Sequence, residues 1–132
     1  MVAPTESELS ILRVLWDVGP LTVREVNEAL NERGGEETAN KPIGYTTTLK
    51  IMQLMAEKGL VHRDVSSRSH VYTAAVAQER TQKNLLSRFV DRAFGGSRSE
   101  LVLRALGDGK ATAEELEEIK ELIKKLEQDG RQ

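Results

Sequence analysis

The sequence contains no cysteine, only two histidines and no long apolar run. Without cysteine the chain can form no disulfide and offers no thiolate to zinc, to an iron–sulfur cluster or to thiol catalysis. Its apolar runs are far shorter than the ~20 residues that cross a bilayer, and no basic segment followed by an apolar one marks a secretion signal at its start. We therefore expect a soluble, intracellular, cytoplasmic protein.

Charge is nearly balanced overall but unevenly distributed. The 132 residues include 19 basic and 21 acidic side chains, a net charge of −2, which excludes a polycationic protein that binds nucleic acid along its whole length. Residues 1–40 carry a net charge of −5, whereas residues 41–72 carry a net charge of +3. If the chain meets a polyanion, we expect the middle third to bind it. A plainly solvated surface is the alternative.

Helix starts can be located from a repeated capping pattern. In Ser/Thr-x-x-Glu, the first side chain accepts a hydrogen bond from a free helical N–H, and the glutamate accepts one from the first residue's N–H. The pattern occurs at Thr5–Glu8, Thr22–Glu25, Ser97–Glu100 and Thr112–Glu115, each followed by apolar residues at helical spacing. A further helix is predicted from Tyr45 to Lys58, with Gly59 ending it in the left-handed conformation.

The remaining pattern gives the order of the other elements. Two β-prone segments, 60–64 and 69–73, flank a polar turn and predict a hairpin. Helical periodicity returns from about residue 77 to Gly95-Gly96, in a short helix from Ser99 to Leu106, and in a last helix after Thr112. The predicted order is α-α-α-β-β-α-α-α.

This order is typical of a winged helix-turn-helix domain, here residues 1–75, followed by a helical domain, residues 76–132. The second and third helices form the motif and the hairpin is the wing. The fold class is therefore mainly α with a small β-hairpin. The connection from Glu32 to Ile43 is longer than the ~3–4 residues of a tight motif, so we expect a loosened variant.

In such a domain the third helix lies in the DNA major groove. Its predicted inner face is Thr48, Ile51, Met52 and Met55, which leaves Thr46, Thr47, Leu49, Lys50 and Gln53 outward. Hydroxyl and ammonium groups can bond bases or phosphates, and methyl groups can contact thymine. Arg63, Arg68 and His70 on the wing suit backbone or minor-groove contact. Thr22, at the start of the second helix, is predicted to support the DNA contact. The alternatives are solvated polar residues or a winged module that binds protein rather than DNA.

The C-terminal segment is too short to form a comfortable core alone, since its 57 residues fall below the ~70–80 that a single core needs. Its helices nevertheless carry strong apolar faces, with Leu85, Phe89, Leu103, Leu106, Leu116, Ile119 and Ile123 as the predicted dimerisation residues. A second copy of the segment is the commonest solution. Folding back on the N-terminal domain is the alternative.

No catalytic or metal site is indicated. His62 and His70 fall on opposite strands of the predicted hairpin, but no carboxylate pair or nucleophile accompanies them, and a polar wing surface accounts for both. The glycine pairs at 34–35 and 95–96 follow helices and lack the lysine of a phosphate-binding loop. We expect no enzymatic activity, no cofactor and no metal.

Several stretches resemble the penicillinase-repressor family, which includes the methicillin-resistance regulator and a copper-responsive repressor. They are Pro4-Thr5-Glu6, Val14-Leu15-Trp16, Leu21-Thr22-Val23, Tyr45-Thr46-Thr47-Thr48-Leu49, Lys58-Gly59-Leu60-Val61 and Val71-Tyr72-Thr73. The resemblance covers essentially the whole chain. It implies a homodimeric repressor that binds an inverted-repeat operator rich in TACA/TGTA, with contacts at Thr46, Thr47 and Lys50 and a helical C-terminal domain that dimerises.

The resemblance also implies how repression ends. β-Lactam-responsive members are cut at an asparagine–phenylalanine bond in the short C-terminal helix, a position that Arg104-Ala105 would occupy here. Copper-responsive members use C-terminal cysteines, which this chain lacks, so the inducing signal stays open. We expect relief through the C-terminal domain, with a membrane-sensor protease as a partner. Leu54 stands where relatives often carry a basic residue, which predicts one phosphate contact fewer.

Overall fold

The computed structural model describes residues 3–34, 41–66 and 68–130. Within them the chain is mainly helical with a small antiparallel sheet, as predicted. The elements are α1 (Glu6–Val18), β1 (Leu21–Thr22), α2 (Val23–Arg33), α3 (Tyr45–Lys58), β2 (Val61–Asp64), β3 (Val71–Ala74), α4 (Gln78–Phe94), α5 (Arg98–Gly107) and α6 (Ala113–Asp129). Residues 35–40 of the predicted loop and Ser67 of the predicted hairpin turn lie outside the described residues.

The predicted capping pattern starts three of the four helices in full. Thr5, Thr22 and Thr112 each accept a hydrogen bond from the backbone N–H of the glutamate three residues on, and that glutamate accepts one from the threonine N–H. At Ser97 the side chain accepts from the Glu100 N–H, which is the first half of the pattern. Gly59 ends α3 with φ 82°, the left-handed conformation expected of it.

The sheet has one strand more than the predicted hairpin. β1 pairs antiparallel with β3, which also pairs with β2, so the strand order is β1-β3-β2. Leu21 and Arg63 both lie opposite Tyr72, on the two sides of the central strand. The extra strand joins the start of α2 to the wing, which fixes the two relative to each other.

The core of the first unit lies between α1, α2, α3 and the sheet. Its buried side chains are Ile11, Leu12, Leu15, Val23, Val26, Met52, Met55, Leu60, Val61 and Tyr72. Trp16 packs on this cluster, and its indole N–H donates to the Val76 carbonyl at 3.0 Å. The segment that leaves the wing is thereby attached to α1, which completes a winged-helix arrangement.

The chain divides into two units, residues 1–85 and 86–132, and the division falls inside α4. Residues 76–85, assigned from the sequence to the helical domain, lie with the first unit. The reason is visible at Val76, which is bonded to Trp16, and at Thr81, which is only 1% exposed. None of the described helices is both long and apolar enough to cross a membrane.

Candidate nucleic-acid interface

The outer surface of α3 is polar along its first turns. Thr46, Thr47, Lys50 and Gln53 are exposed, as their helical spacing predicts. Leu49 departs from that expectation because it is half-buried and packs against the core cluster. Its side chain still reaches the surface, where it lines a cleft together with Thr22 and Tyr72.

Two amide side chains of α2 hold α3 in place. The Asn31 amide accepts a hydrogen bond from the Ile43 N–H at 2.7 Å and donates to the Ile43 carbonyl at 3.1 Å, just before α3 begins. One turn earlier on α2, Asn27 Oδ1 accepts from the Thr48 hydroxyl at 2.7 Å. Thr48 was placed on the inner face by periodicity, and it is fully buried there, but it serves as a polar contact between helices rather than as apolar packing.

The far end of α3 is held by a charge pair. Lys58 Nζ donates to Glu8 Oε2 at 2.7 Å, and Glu8 Oε1 accepts from the Thr5 N–H at 2.9 Å. Burial raises the pKa of the Glu8 carboxyl, but the Lys58 ammonium and the Thr5 bonds outweigh it, so the pKa lies below its ordinary value. Glu8 is therefore ionised at neutral pH, and α3 is anchored to α1.

A cleft of about 480 Å³ opens where the start of α2, the start of α3 and the wing meet. Five of the eight residues predicted to contact DNA line it: Thr22, Leu49, Arg63, Arg68 and His70. The other three, Thr46, Thr47 and Lys50, lie outside this lining on the exposed turns of α3. Arg24, Tyr45 and Gln53 also line the cleft.

The cleft is basic. Arg24, Arg63, Arg68 and His70 line it without any accompanying carboxylate from residues 3–34, 41–66 and 68–130. Within those same ranges none of the four makes an ion pair. Three arginines that line one cleft without an ion-pair partner among the described residues attract a polyanion, and counterions are released when it binds. The cleft can therefore hold phosphate groups.

Thr22 is at the cleft, but its hydroxyl is already bonded. It accepts a hydrogen bond from the Glu25 N–H at 3.2 Å and donates to Glu25 Oε1 at 3.1 Å.

Arg24 is a cleft residue that the sequence analysis does not include. Its guanidinium carbon lies 6.0 Å from the centre of the Tyr45 ring. The spacing of buried Val23 and Val26 on α2 was the signal that could have placed Arg24 on the surface.

The two histidines do not form a site together. His62 lies in β2 opposite Thr73, and His70 precedes β3; both are exposed. Across the described ranges no group of three or more histidine, cysteine or acidic side chains is placed to hold a metal ion.

The second unit exposes most of its predicted dimerisation residues. Leu103 is 72% exposed, Phe89 is 54% exposed and Ile123 is 47% exposed; Leu116 is exposed too. Leu106 and Ile119 are half-buried, as is Leu85, which lies in the first unit. Exposed Leu122 joins this apolar surface, although the spacing of the predicted stripe omitted it.

The second unit has little buried apolar surface of its own. Val90 is buried, and the rings of Phe89 and Phe94 meet edge to face at 5.7 Å. Neither α5 nor α6, both of which the structure describes in full, contains a buried residue. Arg104 and Ala105 are exposed in the last turn of α5.

Comparison with known families agrees with this architecture. The family model described as penicillinase repressor matches residues 4–125, which takes in both units and nearly the whole chain. A search of curated proteins found no match. The family is one of transcriptional regulators. The chain therefore belongs to the penicillinase repressor family.

Proposed function

We propose that this transcriptional repressor acts as a homodimer on an inverted-repeat operator, with α3 reading bases and the wing holding the backbone. The observation that carries the proposal is the single surface on which the exposed turns of α3 adjoin a cleft lined by four basic residues. A winged module that binds protein would have no need of such unpaired cations. DNA is therefore favoured over the protein-binding alternative.

Base reading is assigned to the exposed turns of α3. Thr46 and Thr47 each offer a hydroxyl and a methyl, which suit an adenine or thymine edge, and Lys50 can reach guanine. The family resemblance implies an operator rich in TACA/TGTA, whose adenine, thymine and guanine edges these groups can contact. The Asn27–Thr48 and Asn31–Ile43 hydrogen bonds support the assignment because they fix the helix that presents these side chains.

Backbone contact is assigned to the cleft. Arg63 and Arg68 supply positive charge and His70 supplies ring nitrogens for hydrogen bonds to phosphate, so the three residues position the protein without choosing a sequence. The exposed Leu54 offers no charge to a phosphate, in keeping with one contact fewer on that side of α3.

Dimerisation is assigned to the helical domain. Phe89, Leu103, Leu116 and Ile123 are exposed on a unit that buries little apolar surface itself, and a second copy would cover them with the same residues. Two winged domains would then meet half-sites about 10 bp, or a multiple, apart. Folding back on the first unit would instead leave a monomer.

Relief of repression is assigned to the same domain. Dimerisation makes operator affinity depend on two half-sites, so loss of pairing removes the avidity without altering α3. The short helix α5 lies between glycines, among them Gly96 and Gly109 at φ 87° and 78°, and such segments open locally and admit proteases. Arg104-Ala105 is the proposed bond and a membrane-sensor protease the proposed agent.

The experiment is selection of duplexes from a random library by the purified full-length chain, followed by sequencing. The expected result is an inverted repeat whose half-sites lie about one helical turn or a multiple apart. Binding to the selected duplex should weaken steeply as salt rises. No enrichment, together with no salt-dependent binding, would refute DNA recognition and favour the protein-binding module.

A further inference from the structure

Arg24 occupies the rim of the basic cleft where α2 begins. It is exposed, lines the cleft, and makes no ion pair with any of the described residues. The neighbouring threonine was expected to make the contact at this point, but its hydroxyl is bonded to Glu25. The group left to meet a ligand at the start of α2 is therefore the Arg24 guanidinium.

Tyr45 holds this guanidinium in position. The guanidinium carbon lies 6.0 Å from the ring centre, within the range of a cation–π interaction. Tyr45 is the first residue of α3 and is 47% exposed, so its ring is a platform on the surface rather than part of the core. An arginine side chain loses rotamer freedom when it binds a ligand, and stacking on the ring has already removed part of that freedom.

We propose that Arg24 contacts a DNA phosphate in each half-site and that Tyr45 is a positioning residue that orients it. The inference rests on the proposed DNA-binding function and adds two residues to it. In a helix-turn-helix the first helix of the motif crosses the sugar–phosphate backbone while the second enters the groove. Arg24 lies in the first turn of the backbone-crossing helix, which favours a phosphate over a base edge.

The charge around this turn strengthens the assignment. A free helix N-terminus attracts anions, but here the Glu25 carboxylate accepts the Thr22 N–H at 3.0 Å and places negative charge at the start of α2. A phosphate that approaches this turn consequently needs a cation to offset Glu25. Arg24 supplies one.

The test is a double-mutant cycle in the full-length chain, with Arg24→Ala, Tyr45→Leu and the double variant titrated onto a selected duplex and a shuffled one. Arg24→Ala should reduce the slope of log affinity against log salt by about 0.9 for each half-site contacted. In a half-site duplex, the wild-type advantage should thus shrink about 3.5-fold between 50 and 200 mM salt. The loss should be similar on both duplexes, because a phosphate contact is blind to sequence.

Tyr45→Leu should leave that slope unchanged and weaken binding about 2- to 5-fold, the range of an exposed cation–π contact. In the Arg24→Ala background the same change should have no further effect, since the ring acts through the guanidinium. Tyr45→Phe, which keeps the ring, should bind as wild type does. Additive losses in the cycle would overturn the positioning role and assign Tyr45 a DNA contact of its own.

Arg13→Ala is the matched control, because it removes an exposed arginine that does not line the cleft. It should leave the slope unchanged. An Arg24→Ala slope equal to that of wild type would overturn the phosphate contact, and a loss confined to the selected duplex would reassign Arg24 to a base. If wild type enriches no duplex in the selection and shows no salt-dependent binding, the proposed function fails rather than this inference.

Discussion

Replacing Thr48 by valine tests how α3 is held, because it preserves side-chain shape and removes only the hydroxyl. That hydroxyl is buried and donates to Asn27 Oδ1 at 2.7 Å. A buried hydrogen bond contributes about 0.5–1.5 kcal/mol net, and an acceptor left without its donor costs about 1–3 kcal/mol. Since Asn27 is half-buried, water can reach part of its amide, and we expect the free energy of unfolding to fall by about 1–2 kcal/mol.

Thr47→Val is the matched control, since it makes the same change one residue earlier at an exposed position. Its effect on the free energy of unfolding should stay within about 0.5 kcal/mol. The assay is urea unfolding followed by the fluorescence of Trp16, the chain's single tryptophan, which packs on the core of the first unit. All variants should be compared at one protein concentration, because pairing through the second unit would raise stability.

In DNA binding the order of the two variants should be reversed, with Thr47→Val the more affected. Thr47→Val removes a hydroxyl proposed to read a base and should lower discrimination between selected and shuffled duplex about fivefold, or about 1 kcal/mol. Thr48→Val leaves every outward group in place and should discriminate nearly as wild type does while folded. Equal stability of the two variants would refute the proposed role of the Asn27–Thr48 hydrogen bond.

Three further predictions concern the charge pair and the second unit. Glu8→Gln should lower stability at neutral pH by about 1–2 kcal/mol, because Lys58 loses its partner at a partly exposed site. Lys58 and Thr5 hold the folded-state pKa of Glu8 below its ordinary value, so the stability that this pair gives wild type is present at neutral pH and is lost as the pH falls through that pKa. Acid titration of Glu8→Gln should therefore show a flatter decline in stability. Ile123→Asp should dissociate the dimer in light scattering, since a buried unpaired carboxylate costs several kcal/mol, whereas Lys120→Asp on the charged side of α6 should not. A chain truncated after Arg104 should be monomeric and bind the operator weakly, and full-strength binding by that chain would refute relief through the second unit.

Local signals in the sequence predicted most helices and the inward face of α3 correctly. Capping pairs such as Thr5–Glu8 act within four residues, so their pattern can be read without knowing the fold. Met52 and Met55 were placed in the core because helical spacing alone determines which face they share.

What the sequence did not predict depends on residues far apart in the chain. A two-residue strand at Leu21–Thr22 has no periodicity to detect and exists because β3 lies beside it. Leu49 is half-buried because it packs against the core cluster, whereas spacing alone predicts an outward side chain. The sequence did not predict the cleft either, because the cleft depends on contacts between distant residues. Arg24 and Tyr45, for example, lie 21 positions apart in the sequence.

The most direct test of the central claim compares a duplex that carries the selected inverted repeat with one in which a single half-site is scrambled. Titration monitored by sedimentation should give two chains per intact duplex and a steep loss of affinity with salt. Scrambling one half-site should weaken binding by far more than twofold, because two linked contacts become one. Equal affinity for both duplexes, or one chain per intact duplex, would contradict a dimeric repressor that reads both halves of its operator.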